Sequence, residues 1–247
     1  MKVVNYISLS LVVALSMLGF TSCDEHDPFD DNIHVGYVLL SDHRTMSLEN
    51  YEALGGGSGA KAVGVVFAEQ NANHPTMAVL LGSKGVSTSA RYAEKLGIKQ
   101  NTSCSLEDFD GFLNTVALQA GTYTEEEGTL NPTDSITKTE TVTYQLSHLG
   151  WNAFDSHEYG QSDYIPSVAE MRLLLSSLSV VNPIIERLGG EPVTVSTDGG
   201  NCWYWTSTEV QDNPENMAWL MSAVNGGIQE TPKNETHSYR LIVALNY

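Results

Sequence analysis

Cys202-Trp203-Tyr204-Trp205-Thr206-Ser207, running on into Thr208-Glu209, is the stretch on which the fold turns. Side chains alternate across a strand with a period of two, so Trp203 and Trp205 share one face. A buried Trp removes a large apolar area from water, so residues 202–207 are expected to form a core strand. Downstream, Met217 to Ser222 and Tyr239 to Leu245 are further strand candidates, with Asn225-Gly226-Gly227 as a tight turn. Trp219 belongs to the first of these and Arg240 to the second. Upstream, Pro166-Ser167-Val168-Ala169-Glu170 carries a capping box: Ser167 as N-cap and Glu170 three residues later. Met171, Leu174, Leu175 and Leu178 then supply the apolar stripe of a helix. Asn182 to Leu188 is expected as a short further helix, with Pro183 at its first position and Gly189-Gly190 ending it.

The N-terminal half is more strand-like. Val35 to Leu40, the polar Ser41-Asp42-His43-Arg44 and Thr45-Met46-Ser47 read as a β-hairpin. Gly55-Gly56-Gly57-Ser58-Gly59 lacks a following Gly-Lys-Ser/Thr and opens no helix, so it is a loop and not a phosphate cradle. Ala62 to Ala68 and Met77 to Leu81 are apolar runs of strand length, joined by the turn-forming Asn71 to Pro75. Ser105 is a candidate N-cap for a first helix, in which Leu106, Phe109, Leu113, Val116 and Ala117 recur at helical spacing. Residues 121–145 are rich in Thr and Glu and poor in large apolar side chains. Thr122 to Thr141 is accordingly expected as an exposed loop or insertion. Strands, then helices, then strands agree with an α+β class.

The N-terminus bears on location. Met1-Lys2 is a short basic start, and Ile7 to Phe20 is an apolar run too short for a spanning helix but fit for a secretory h-region. Thr21-Ser22 leads directly to Cys23, which looks like a lipobox: residues 1–22 would be a signal peptide and Cys23 the lipidated residue. Residues 23–33 form an acidic tether with too little apolar surface to fold, leaving 34–247 as one domain with its insertion. Acidic residues just after such a Cys resemble the surface-export signal of Bacteroidota lipoproteins. The expected address is the outer membrane, lipid-anchored and facing the medium. Asp134-Ser135-Ile136 resembles the O-glycosylation sequon of exported Bacteroidota proteins, which makes Ser135 a candidate glycosylation site. The net charge of −18 argues against nucleic acid, whose phosphates would be repelled. Removing residues 1–22 deletes a Lys and no acid, making the balance more negative still. With Cys23 lipidated, Cys104 and Cys202 remain. They can pair in an oxidising compartment or stay thiols, and sequence separation does not decide.

Several blocks together carry a resemblance. They are Val35-Gly36-Tyr37, Ala62 to Phe67, Asp163-Tyr164-Ile165-Pro166-Ser167-Val168-Ala169-Glu170, Tyr204-Trp205-Thr206-Ser207-Thr208-Glu209, Ala218-Trp219-Leu220 and Ser238-Tyr239-Arg240-Leu241-Ile242. In this order they resemble the FISUMP/Lcl C-terminal group of bacterial extracellular domains, over about residues 35–247. The resemblance implies a C-type-lectin-like fold: two main helices on a mixed, mostly antiparallel sheet, with long loops. Pro166, Glu170, Trp205, Glu209, Trp219 and Arg240 would be its structural motif. Arg240 is positioned to pair with Glu170 or with Glu209.

Catalysis finds little support. Enzymes of the broad fold that generate formylglycine need reactive cysteines near the C-terminus, and only Cys202 is there. No His-Glu-x-x-His or Gly-x-Ser-x-Gly occurs, and His148 and His157 flank Trp151 in a loop. Sugar-binding members of the wider fold that the resemblance implies use Glu-Pro-Asn or Gln-Pro-Asp, plus Trp-Asn-Asp, to hold calcium. Here Glu191-Pro192-Val193 and Trp203-Tyr204-Trp205 stand instead. Asp212, Asn213, Glu215 and Asn216 form a local oxygen cluster, either a loose calcium site or an ordinary polar loop. With Asn225, Asn234 and Glu235 they are the candidate ligand-binding residues, since loops on a rigid scaffold carry recognition. No metal or cofactor is expected. The expectation is a non-enzymatic binding or adhesion module for an extracellular protein or glycan. The alternatives are a structural accessory of fimbriae or envelope, a diversified binding protein of a retroelement, or an enzyme on the same scaffold.

Overall fold

The computed structural model describes residues 32–56, 59–84, 88–93, 95–119, 122–128, 135–141, 163–196 and 202–245. Cys23, the expected signal peptide at residues 1–22, Trp151, His148 and His157 lie outside them. The chain divides after Asn32, and Ile33–Tyr247 is one unit.

That unit is α+β, with mostly antiparallel strands in two five-stranded sheets. The first runs β12-β4-β3-β1-β2: β1 is Val38–Leu40, β2 Thr45–Met46, β3 Ala62–Ala68, β4 Thr76–Leu80 and β12 Ile242–Leu245. The expected hairpins are both present, with Val38 opposite Met46 and Val65 opposite Val79. Alternation explains why β3 is apolar throughout. Val65 and Phe67 enter the main core, whereas Val66 on the opposite face joins a second cluster with Leu39, Ala78 and Val243. The second sheet runs β10-β9-β8-β11-β5: β5 is Ser89–Arg91, β8 Trp203–Glu209, β9 Met217–Ser222, β10 Ile228–Pro232 and β11 Thr236–Ser238. Its one parallel pairing is β11 with β8. The expected single mixed sheet is thus two, because the chain leaves the second sheet at Ser238 and enters the first at Ile242.

The capping box is as expected. Helix α3, Val168–Ser176, starts with Ser167 Oγ accepting from Glu170 N, while Glu170 accepts from Ser167 N. Three other helical expectations need correction. Helix α2 spans Gly111–Gln119, and Leu106 and Phe109 precede it in a loop that still packs on the core. Leu113, in that expected stripe, is 63% exposed. The inward face carries Leu118 and Phe112 but is otherwise polar: Asn114 Oδ1 accepts from Ser103 N at 2.6 Å, and Thr115 Oγ1 accepts from Ile165 N at 3.1 Å. The helix docks onto neighbouring backbone, which apolar spacing does not reveal. Helix α4, Leu178–Arg187, begins earlier than expected and holds Pro183 inside it. Burial of Leu178 and Val181 sets that start, while Gly189, at φ +80°, ends the helix as expected. A short helix α1, Leu48–Ala53, capped by Ser47, follows β2 where only a strand and loop were expected.

The Thr/Glu-rich segment is likewise not simply a loop. Thr122–Gly128 and Ser135–Thr141 form an antiparallel ribbon, β6 and β7, with Glu125 opposite Lys138. Thr recurs at alternate positions, and its β-branched side chain favours extended backbone. Ser135 opens β7 opposite Gly128, and Asp134 lies outside the described residues.

Candidate functional site

The most constrained polar cluster sits at the carboxyl end of β8. Trp205 is fully buried, donates from Nε1 to Ala90 O at 2.9 Å and meets the Tyr92 ring edge-on at 5.5 Å. Tyr204, facing the opposite way, joins the main core. Beyond Trp205 the pairing with β9 breaks until Glu209. Groups in that irregular stretch meet the start of α3: the Ser207 backbone N donates to Pro166 O at 2.8 Å, and the Thr208 side-chain Oγ1 accepts from Val168 N at 3.2 Å. Hence Thr206-Ser207-Thr208-Glu209 can be buried despite its polarity.

Glu209 is fully buried and ion-paired with Lys233, itself fully buried. Its oxygens also accept from Gln100 N at 2.8 Å, Thr102 N at 3.2 Å and Thr102 Oγ1 at 3.1 Å. Lys233 Nζ further donates to Ile98 O at 3.1 Å and Pro214 O at 2.5 Å, and lies 5.3 Å from the Tyr92 ring centroid. Every ammonium proton therefore has an acceptor. Burial pulls the Lys233 pKa below its ordinary value, and the Glu209 charge opposes that fall. The pair thus joins β8, the 98–102 segment and the turns after β8 and β10.

Lys233 replaces Arg240 as the partner of Glu209, contrary to expectation. Arg240 pairs with neither carboxylate: it donates to Glu191 O, in the segment after α4. Lys233 was legible in principle, being the only Lys or Arg between Arg187 and Arg240, in a strongly acidic stretch. The other supposed partner, Glu170, is also buried and serves two helix starts. It accepts from Ser167 N at 2.7 Å and Tyr164 Oη at 3.3 Å, and from the Gly111 amide at the head of α2. Those donors favour the carboxylate, but loss of water outweighs them and the pKa rises to about 7.

Since the folded pKa lies above the unfolded one, the folded state binds the extra proton. Glu170 therefore stabilises the fold most below about pH 4.5, and that contribution falls away as pH rises towards about 7. Asp163, buried and with neither oxygen hydrogen-bonded among the described residues, is lifted to about 6 and acts in the same sense. Urea midpoints measured from pH 4.5 to 7.5 should fall with rising pH. Glu170→Gln, which keeps shape without titrating, should flatten that slope and leave the Asp163 part. An unchanged slope would contradict the assignment.

The candidate ligand residues fall at two ends of the second sheet. Asp212, Asn213, Glu215 and Asn216 lie between β8 and β9, and Asn234 and Glu235 between β10 and β11. Because β9 and β10 are antiparallel with Met217 opposite Pro232, these turns lie together, and Lys233 N donates to Asn216 O at 2.9 Å. Asn225 is at the opposite end, where its Oδ1 accepts from Gly227 N and closes its own turn. Asn216 is also engaged structurally: Nδ2 donates to Asn213 Oδ1 at 2.8 Å and Oδ1 accepts from Gly97 N at 2.9 Å. Asp212, Glu215, Asn234 and Glu235 are exposed. Among the described residues no group of three His, Cys, Asp or Glu is arranged to hold a metal. Trp219 is partly buried against the main core. Cys104 and Cys202 are free thiols, so the possible disulfide is not formed. Cys202 is buried, and burial raises the Cys104 pKa, which disfavours its thiolate.

No family model matches this chain, and neither a curated protein nor a solved structure matches it.

Proposed function

We propose that this protein is a surface-exposed lipoprotein, anchored in the outer membrane through lipid on Cys23, that binds an extracellular protein or glycan without catalysis. One observation carries the binding role: two polar turns, 210–216 and 233–235, meet at one end of the second sheet above a fully buried Lys233–Glu209 pair. A rigid base lowers the entropy that a recognition surface must lose on binding. The resemblance to the FISUMP/Lcl C-terminal group and its C-type-lectin-like fold supports the same function, as do the lipobox-like Cys23 and the acidic residues after it.

The test presents the full chain to glycan and extracellular-protein arrays. A retained ligand should lose about ten-fold or more in affinity on joint Asp212→Ala and Asn234→Ala substitution, as expected for polar contacts of about 1.4 kcal/mol or more. Asn225→Ala, at the other end, should leave affinity unchanged. Binding indifferent to the paired substitution, or no binding on either array, would refute this function.

A further inference from the structure

A second site lies away from those turns, where the chain crosses from β11 to β12. Val63 and Leu80 from the first sheet, Gly82 just after β4, Thr88 just before β5, and Tyr239 and Arg240 from the crossing line a groove of about 390 Å³. That volume is within the range that holds a small organic molecule. The walls are rigid: Thr88 Oγ1 donates to Tyr239 O at 3.0 Å, and Tyr239 N donates to Thr88 O at 3.1 Å.

Arg240 is 5% exposed, yet among the described residues its Nε has no hydrogen-bond partner. Among the described residues its guanidinium makes one hydrogen bond, to the main-chain oxygen of Glu191, and no ion pair. Glu191 acts on it otherwise only through its charge. A buried cation normally finds a carboxylate, because an uncompensated charge out of water is costly. This chain has 30 acidic residues against 12 basic ones, so acidic partners are abundant in the sequence. Space has been kept beside the guanidinium as well. Gly82 has φ +66°, and a Cβ there would stand 2.8 Å from Arg240 Nη1. A single cation between apolar walls suits a monoanion with an apolar body, and a phosphate dianion would leave charge unmet.

We propose that this groove binds a small organic carboxylate carried on a compact apolar body, with Arg240 as the anion-binding residue. Such a carboxylate could be a free acid or a peptide C-terminus, and the test separates them. The full chain is titrated with hexanoate, with acetyl-alanyl-leucine bearing a free carboxylate, and with hexanol, following the Arg240 Nε–Hε resonance by NMR. Saturable shifts with either acid and none with hexanol are expected, and the tighter acid names the source. Ala62→Phe, which narrows the groove without touching Arg240, should weaken binding about ten-fold or more, as should Arg240→Lys, which keeps charge but loses the planar fork and, lacking that resonance, is followed by calorimetry. No saturable shift with either acid, an equal response to hexanol, or full affinity in folded Ala62→Phe would overturn the proposal.

Discussion

Replacing Lys233 with Met is expected to cost about 3–5 kcal/mol of stability, the range for breaking a buried ion pair from one side. Glu209 would be left fully buried without its cation, and Ile98 O and Pro214 O would each lose a donor. The amides of Gln100 and Thr102 would still reach the carboxylate. They cannot supply the missing charge. The double change Lys233→Met with Glu209→Gln removes both charges and should recover a large part of the loss, because a buried pair is worth far less than the cost of orphaning one member. Urea unfolding of the single and double variants is the measurement. A double variant no more stable than Lys233→Met would show that geometry, and not the stranded charge, dominates at this junction.

Gly111→Ala is the second large effect, expected at about 3 kcal/mol or more, the upper end of what overpacking costs. A Cβ on Gly111 would overlap Glu170 Oε2 and stand 2.8 Å from both Ile165 O and Ser167 N. Two of those three neighbours are backbone, and the third is the carboxylate that both helix starts share. None can swing aside as a flexible side chain would. On ordinary helix propensity the same change would be stabilising by about 1 kcal/mol, so the sign itself is diagnostic. Leu113→Ala two residues on, at a position 63% exposed, serves as the control and should stay within about 0.5 kcal/mol. Thermal or urea unfolding decides, and a neutral Gly111→Ala would mean that α2 and α3 do not share Glu170.

Much of the fold was legible where one local rule dictates the outcome. Ser167 and Glu170 mark a helix start because their hydrogen bonds are made within one turn. The core strand at Trp203–Glu209 and the β3–β4 hairpin follow from aromatic content, apolar runs and turn residues, all short-range properties. Where helix faces meet polar backbone the rule fails. Leu113 and Val116 look like a buried stripe, yet Asn114 and Thr115 occupy the interior, because their hydrogen bonds are to Ser103 and Ile165.

The site divides in the same way. Sequence alone settles which groups are present: an acid-rich chain, polar turns after β8 and β10, and Arg240 and Glu209 among aromatic strands. Tertiary structure alone decides who meets whom. It gives Glu209 to Lys233, gives Glu170 to two helix starts, and leaves Arg240, among the described residues, with a single carbonyl beside an apolar groove. Partner choice among buried charges depends on which sheet each strand joins, and the crossing between Ser238 and Ile242 moves Arg240 away from the sheet that holds Glu209. Electrostatic attraction falls off with distance and not with sequence separation, so residues far apart in the chain pair when the sheets bring them together.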